Sequence, residues 1–249
     1  MHRLKKVLFL LAFVTVAAAQ TPSPDPPLAE SRISVSTLLR EDIFSGFLAD
    51  DMERFARGEK NVDILLSQRP AEKSTLLAWK ALTRLYRAIR ANDAKQPAEF
   101  QRLYKQALDL FDEAAQAGPN NPGLAAIRGG TFVVLADRLP KEYRADAWAK
   151  AYESYLALWK FQALAVNQLP VHLSGELLGG LAQSAQRTGR KEEAAEYADK
   201  IISVLHDTPY ESIAKKWKAN PESAATASIT CLTCHDAGRL SARLATLNK

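Results

Sequence analysis

WKALTRLYRAIRANDAKQPAEFQRLYKQALDLFDEAAQAGP, residues 79–119, reads as two amphipathic helices joined by a short polar break. Leu76, Trp79, Leu82, Tyr86 and Ile89 recur at three- and four-residue steps, the spacing that gathers side chains on one helix face. That pattern predicts a helix over 71–92. Asn92 to Pro97 interrupts it, and Ala98–Ala117 restores it with Ala107, Phe111 and Ala114 on one side. Gly118-Pro119-Asn120-Asn121-Pro122 then stops the chain, because proline lacks a donor and glycine and asparagine accept the backbone angles of turns.

The same grammar extends in both directions. Leu38, Leu39, Ile43, Phe47 and Phe55 form one stripe, expected to end at Gly58, before a short helix carrying Val62, Leu65 and Leu66 and closed by Pro70. Downstream, helices are expected over 124–138, with Gly129-Gly130 inside it, and over 142–166, with Trp148, Tyr152, Tyr155, Trp159 and Phe161. Further helices are expected over 173–187, 192–205 and 210–218. No stretch alternates with period two long enough to predict a strand. The fold class expected is all-α, an antiparallel helix-pair solenoid over residues 37–220.

Trp79, Leu82 and Tyr86, followed by Ala107, Phe111, Ala114 and Pro119, resemble the two helices of a tetratricopeptide repeat. About twelve residues around Ala88–Phe100 exceed the usual period of near 34. Leu178, Leu181, Ala182, Gly189 and Ala194 give a fainter copy, and residues 123–166, with Ala151, Tyr155 and Leu158 facing inward, a degenerate third. The resemblance covers residues 37–218 and rests on packing residues. It implies a curved helical scaffold with a surface for a protein partner, and no catalytic group.

The first nineteen residues read as a secretory signal peptide: basic Arg3, Lys5 and Lys6, an apolar run over Val7–Ala19, and small residues Ala17-Ala18-Ala19 at the cleavage positions. The run is short for a bilayer span, no second one follows, and no cysteine succeeds it to carry a lipid. An exported chain, periplasmic or secreted and soluble, is the expectation. Cleavage removes three cations and no acid, lowering the formal charge from +5 to +2. The remaining charge is mixed along the helices, which argues against a nucleic-acid surface. Residues 20–36, with four prolines in Thr21–Pro27, are expected to be an extended, mobile linker.

The only two cysteines fall in Cys231-Leu232-Thr233-Cys234-His235, inside a C-terminal segment over 221–249. C-x-x-C-H is the spacing that attaches a c-type haem: each thiol adds to a vinyl group, and His235 becomes the proximal iron ligand. One covalent haem c is therefore the cofactor expected. The same pair could instead close a small disulfide, which in so short a loop stabilises little. Zinc would need four ligands, and only His235 is near in sequence. Cys231, Cys234 and His235 are expected to face a concave apolar surface or open solvent, with room for a flat ring.

The last twenty residues also resemble class II cytochromes c, which carry the motif on the last helix and often an arginine four positions beyond the histidine, here Arg239. That resemblance implies the attachment chemistry alone, since the rest of the chain is far longer than that family's bundle. Fourteen residues follow His235 without Met or His. The distal candidates are Met52, His172 and His206; without one of them the iron would keep an open position. Two functions are expected: a haem-binding repeat protein for electron transfer, or haem-linked sensing or scaffolding; alternatively, an interaction adaptor with a disulfide and no haem. An enzyme such as a peroxidase would need distal acid–base groups that the sequence does not identify.

Overall fold

The computed structural model describes residues 24–225, 228–230 and 238–247. Among them are ten α-helices and no strand: α1 (Val35–Ala49), α2 (Met52–Gln68), α3 (Lys73–Asp93), α4 (Pro97–Ala117), α5 (Pro122–Leu135), α6 (Lys141–Gln162), α7 (Val171–Arg187), α8 (Lys191–Val204), α9 (Pro209–Ala219) and α10 (Arg239–Leu247). Short 3₁₀ turns at Pro70–Glu72, Ala136–Arg138, Ala163–Gln168 and Pro221–Ala225 join several of them. The all-α expectation holds, and packing is tightest within the successive pairs α1/α2, α3/α4, α5/α6 and α7/α8.

The helix ends follow from capping chemistry. Ser34, Asp51, Asn121 and Thr208 each accept a backbone N–H of the first turn, and prolines at the starts of α4, α5 and α9 spend no donor there. Successive first helices of the pairs touch one another, α1 on α3, α3 on α5 and α5 on α7, so they form one layer.

Within α3/α4 the expected stripes are the buried ones: Trp79, Leu82, Tyr86, Ala107, Phe111 and Ala114 are all core. The small residues let the two backbones approach, and the Ser74 hydroxyl donates to the Ala114 carbonyl at 2.8 Å. Tyr86 reaches back to the first pair, stacking edge-on with Phe55 at 5.0 Å and donating to the Gly46 carbonyl at 2.8 Å. Ala151, Tyr155 and Leu158 of α6 face inward, as do Leu178, Leu181 and Ala182 of α7.

Several expectations differ from the structure. The first stripe breaks at Asp50, in the left-handed region at φ 54°, and not at Gly58. Gly58 lies inside α2 at its crossing with α1, where a Cβ would stand 2.8 Å from Ile43 Cγ1. The surplus around Ala88–Phe100 makes no loop: it lengthens α3 and α4 to 21 residues each, with only Ala94–Gln96 between them. Phe161 ends α6 half exposed, outside the aromatic face that buries Trp148, Tyr152 and Tyr155.

The described part of the expected mobile linker is also bound. From Leu28 to Ile33 the chain folds against α2, because the Arg69 guanidinium donates to the carbonyls of Leu28, Glu30 and Ile33 at 2.7–2.8 Å. Ile33 is buried, so the packed unit begins upstream of residue 37. No helix among the described residues is long and apolar enough to cross a membrane. The expected signal peptide, residues 1–19, lies outside the described residues.

Candidate functional site

Cys231, Cys234 and His235 lie outside the described residues, but the chain on either side of them is anchored. On the upstream side, Ile229 is fully buried on α7. Its N–H donates to Gln183 Oε1 at 3.1 Å, and the Ser228 hydroxyl donates to the same oxygen at 3.2 Å. Gly179 opens the surface for it: a Cβ there would lie 3.1 Å from Ile229 Cγ2. Gln183 is itself buried, so these donors satisfy an oxygen that would otherwise be costly inside.

On the downstream side, Gly238 adopts φ 94°, a conformation that disfavours any side chain, and starts α10. Leu240 is buried, and its N–H donates to Glu41 Oε1 on α1 at 2.7 Å. Arg243 donates to the Arg32 carbonyl at 3.3 Å. The C-terminal chain thus leaves α7 and returns on α1, bridging the fourth helix pair to the first.

Two recesses adjoin this bridge. One has a volume of about 200 Å³ and an apolar wall of Phe44, Trp79, Leu82, Ile127, Leu158 and Leu173. Phe44 meets Phe47 edge-on at 4.8 Å and Trp79 at 6.1 Å, and the indole N–H donates to Ser36 Oγ at 3.2 Å, which fixes the wall. The second, of about 330 Å³, lies among Thr37, Arg40 and Glu41 of α1, His172 of α7, and Arg239 and Arg243 of α10. Arg40 borders both.

Of the three distal candidates, only His172 is brought to the bridge. It shares a stripe of α7 with Glu176, Gly179 and Gln183, and lies about 10 Å along the axis from Gly179 at 1.5 Å per residue. Burial, together with the nearby Arg239 and Arg40 guanidiniums, holds its imidazole below the ordinary range. His206 instead follows α8 at the turn into α9, 3.7 Å from Glu211. Met52 opens α2, packed at the edge of the core. No group of three or more metal-binding side chains occurs among the described residues.

Sequence reasoning missed Arg40, Glu41, Gln183 and Arg243. Gln183 carried a faint signal, a large polar residue in the run Leu177–Ala185 that is otherwise small or apolar. The α1 and α10 residues carried none, since their meeting is a contact between opposite ends of the chain. Compared with protein-family models, with curated proteins and with solved structures, the chain gives no match.

Proposed function

We propose that this chain is an exported c-type haem protein, one covalent haem borne by a helical-repeat scaffold at Cys231, Cys234 and His235 and serving electron transfer or haem-linked sensing. The observation that carries the reading is the C-x-x-C-H spacing holding both of the chain's cysteines. The signal-like N-terminus supports it, because thioether attachment belongs outside the cytoplasmic membrane.

The surroundings suit a porphyrin. A macrocycle tethered between Thr230 and Gly238 would have an apolar wall on one side, at Phe44 and Leu173, and cationic side chains on the other. Cys231 and Cys234 would hold it and His235 would ligate the iron, with His172, the distal candidate that shares a recess with α10, a candidate second ligand. A bound haem supplies one-electron exchange, or small-molecule binding where an axial position stays open. The scaffold's part is to hold the segment at both ends and to exclude water from one edge, which tunes the potential through burial and local charge.

The test is production in a host competent for c-type haem maturation, followed by a haem-stained denaturing gel. Stain should stay with the protein, disappear in Cys231→Ala/Cys234→Ala, and persist in His235→Ala with an altered Soret band. Colourless protein of apo mass, two hydrogens lighter than the reduced chain, would leave the disulfide-bonded adaptor instead.

A further inference from the structure

A third recess, between α5 and α6, holds a guanidinium without a partner. It has a volume of about 250 Å³, and its walls include Leu124, Arg128, Glu153, Ala157, Lys160 and Phe161. It shares no lining residue with the apolar cleft or with the recess at α10, so it stands apart from the proposed haem site. The Arg128 Nε–H is buried and meets no acceptor. Neither Arg128 nor Lys160 forms a hydrogen bond or ion pair with any described residue. Glu153, the carboxylate on the same wall, is exposed and pairs with neither of them. A buried donor left unsatisfied is costly, and an oxyanion arriving from outside relieves that cost with a charge-assisted bond.

The second observation is the apolar corner that begins at the same wall. Phe161, half exposed, lies at the end of α6, and Leu164, in the 3₁₀ turn that follows, is fully exposed. Val171, half exposed, opens α7. With Leu173, which lines the apolar cleft, these make four of the five large exposed apolar side chains among the described residues. No acidic residue occurs between Glu153 and Glu176, a span that contains Lys160. A second copy of this chain meeting the same corner would set like charges against each other. A fluid anionic surface suits it better, because it takes protruding apolar tips without needing a matching pocket. We infer that the α6–α7 corner docks on a membrane bearing anionic phospholipid, with Phe161, Leu164 and Val171 entering the interface and Arg128 and Lys160 taking lipid phosphates. The contact is peripheral, since no described helix is long and apolar enough to cross a bilayer. Apolar insertion supplies the hold, and each cation adds attraction to the negative surface.

The experiment is cosedimentation of the chain beginning at Gln20 with vesicles of phosphatidylcholine, alone or mixed with phosphatidylglycerol. The first nineteen residues are omitted because their apolar run would bind lipid by itself. Wild type should pellet with the mixed vesicles at low salt. It should pellet far less with phosphatidylcholine alone, or at high salt, which screens the surface charge. Arg128→Gln and Lys160→Gln should each weaken partition about fivefold. Leu164→Ser should weaken it as well, and Lys60→Gln, an exposed cation on α2, should not. Lys160 and Leu164 are exposed, so their variants should keep the wild-type thermal midpoint and report binding rather than folding. Wild type left in the supernatant with mixed vesicles overturns the assignment, and so does undiminished pelleting of Leu164→Ser and of Arg128→Gln/Lys160→Gln. Calorimetric binding of inorganic phosphate without vesicle binding gives the recess to a free anion and overturns it. A dimer in sedimentation that Leu164→Ser abolishes, again without vesicle binding, gives the corner to a second copy and overturns it too. Vesicle binding is read whether or not the protein carries haem stain, so the haem reading stands or falls separately.

Discussion

The backbone N–H of Leu240 donates to Glu41 Oε1 at 2.7 Å, joining positions 199 residues apart. It satisfies a donor in the first turn of α10 that has no partner within the helix, and it does so with a charged acceptor. The last described helix is thereby fixed to the first, and the span carrying the two thiols is held from both ends.

Glu41→Ala should therefore loosen α10 without unfolding the rest. Removing a charge-assisted bond of this kind costs about 1.5 kcal/mol locally, equivalent to roughly tenfold more of the open state. Trypsin should cut after Arg239 and Arg243 correspondingly faster, while the thermal midpoint of the helical scaffold hardly moves. An unchanged cleavage rate would mean that Leu240 packing alone holds the helix.

Gly180→Ala tests the close approach of α6 to α7. A Cβ at that position would overlap the Tyr155 ring, which is buried and also packs closely against Gly129. Overpacking of this sort costs about 1–3 kcal/mol, and about 2–4 °C of thermal midpoint per kcal/mol is expected for a domain of this size. Tyr155→Leu should recover part of the loss when combined with Gly180→Ala, and a purely additive double variant would place the strain elsewhere.

How far the residues announced this architecture depends on the range of the contacts involved. Helices were legible wherever an apolar stripe ran unbroken between turn residues, as from Trp79 to Pro119, because i, i+3 and i, i+4 neighbours settle the matter locally. Gly58 misled for a physical reason: glycine ends many helices, yet here its missing side chain serves the crossing of α2 over Ile43. The prolines before residue 28 suggested a free tether, and nothing local reveals that Arg69, some forty residues on, would collect three carbonyls of the following turn. The thiol spacing was plain in the sequence, while its flanks were not: Arg40, Glu41 and Arg243 meet in one recess, and Gln183 meets Ile229, only through contacts between distant parts of the chain.

Asp42 illustrates a charge that the first helix pair depends on. Its carboxylate is 2% exposed and accepts from Arg57 Nε and Nη2, both at 2.7 Å, and from Arg54 Nε at 3.2 Å. Asp42→Ala leaves two guanidiniums facing each other over α1. The loss should be about 2–3 kcal/mol, below the about 3–5 kcal/mol of a fully buried pair, because both arginines keep contact with water. Chemical denaturation should show a lower midpoint at unchanged slope, since the surface exposed on unfolding stays the same.

His172 should make stability depend on pH in a direction that its surroundings dictate. Burial first, and then the Arg239 and Arg40 guanidiniums, lower its pKa in the folded chain below the 6.5 of an unperturbed imidazole. Between that lowered value and 6.5 the unfolded chain binds more protons than the folded one, so stability rises with pH across this window. The contribution is fully present above 6.5 and is lost as pH falls through the folded value. The measurement belongs in haem-free Cys231→Ala/Cys234→Ala protein, where no iron competes for the imidazole. Proton NMR should give His172 a midpoint under 6.5, and Arg239→Gln should raise that midpoint while leaving it below 6.5, because burial is the larger cause. His172→Gln should flatten the corresponding part of the thermal-midpoint profile. A His172 midpoint at or above 6.5 would mean that the imidazole is not buried in solution, and a midpoint that Arg239→Gln leaves unchanged would mean that α10 does not bring Arg239 to α7.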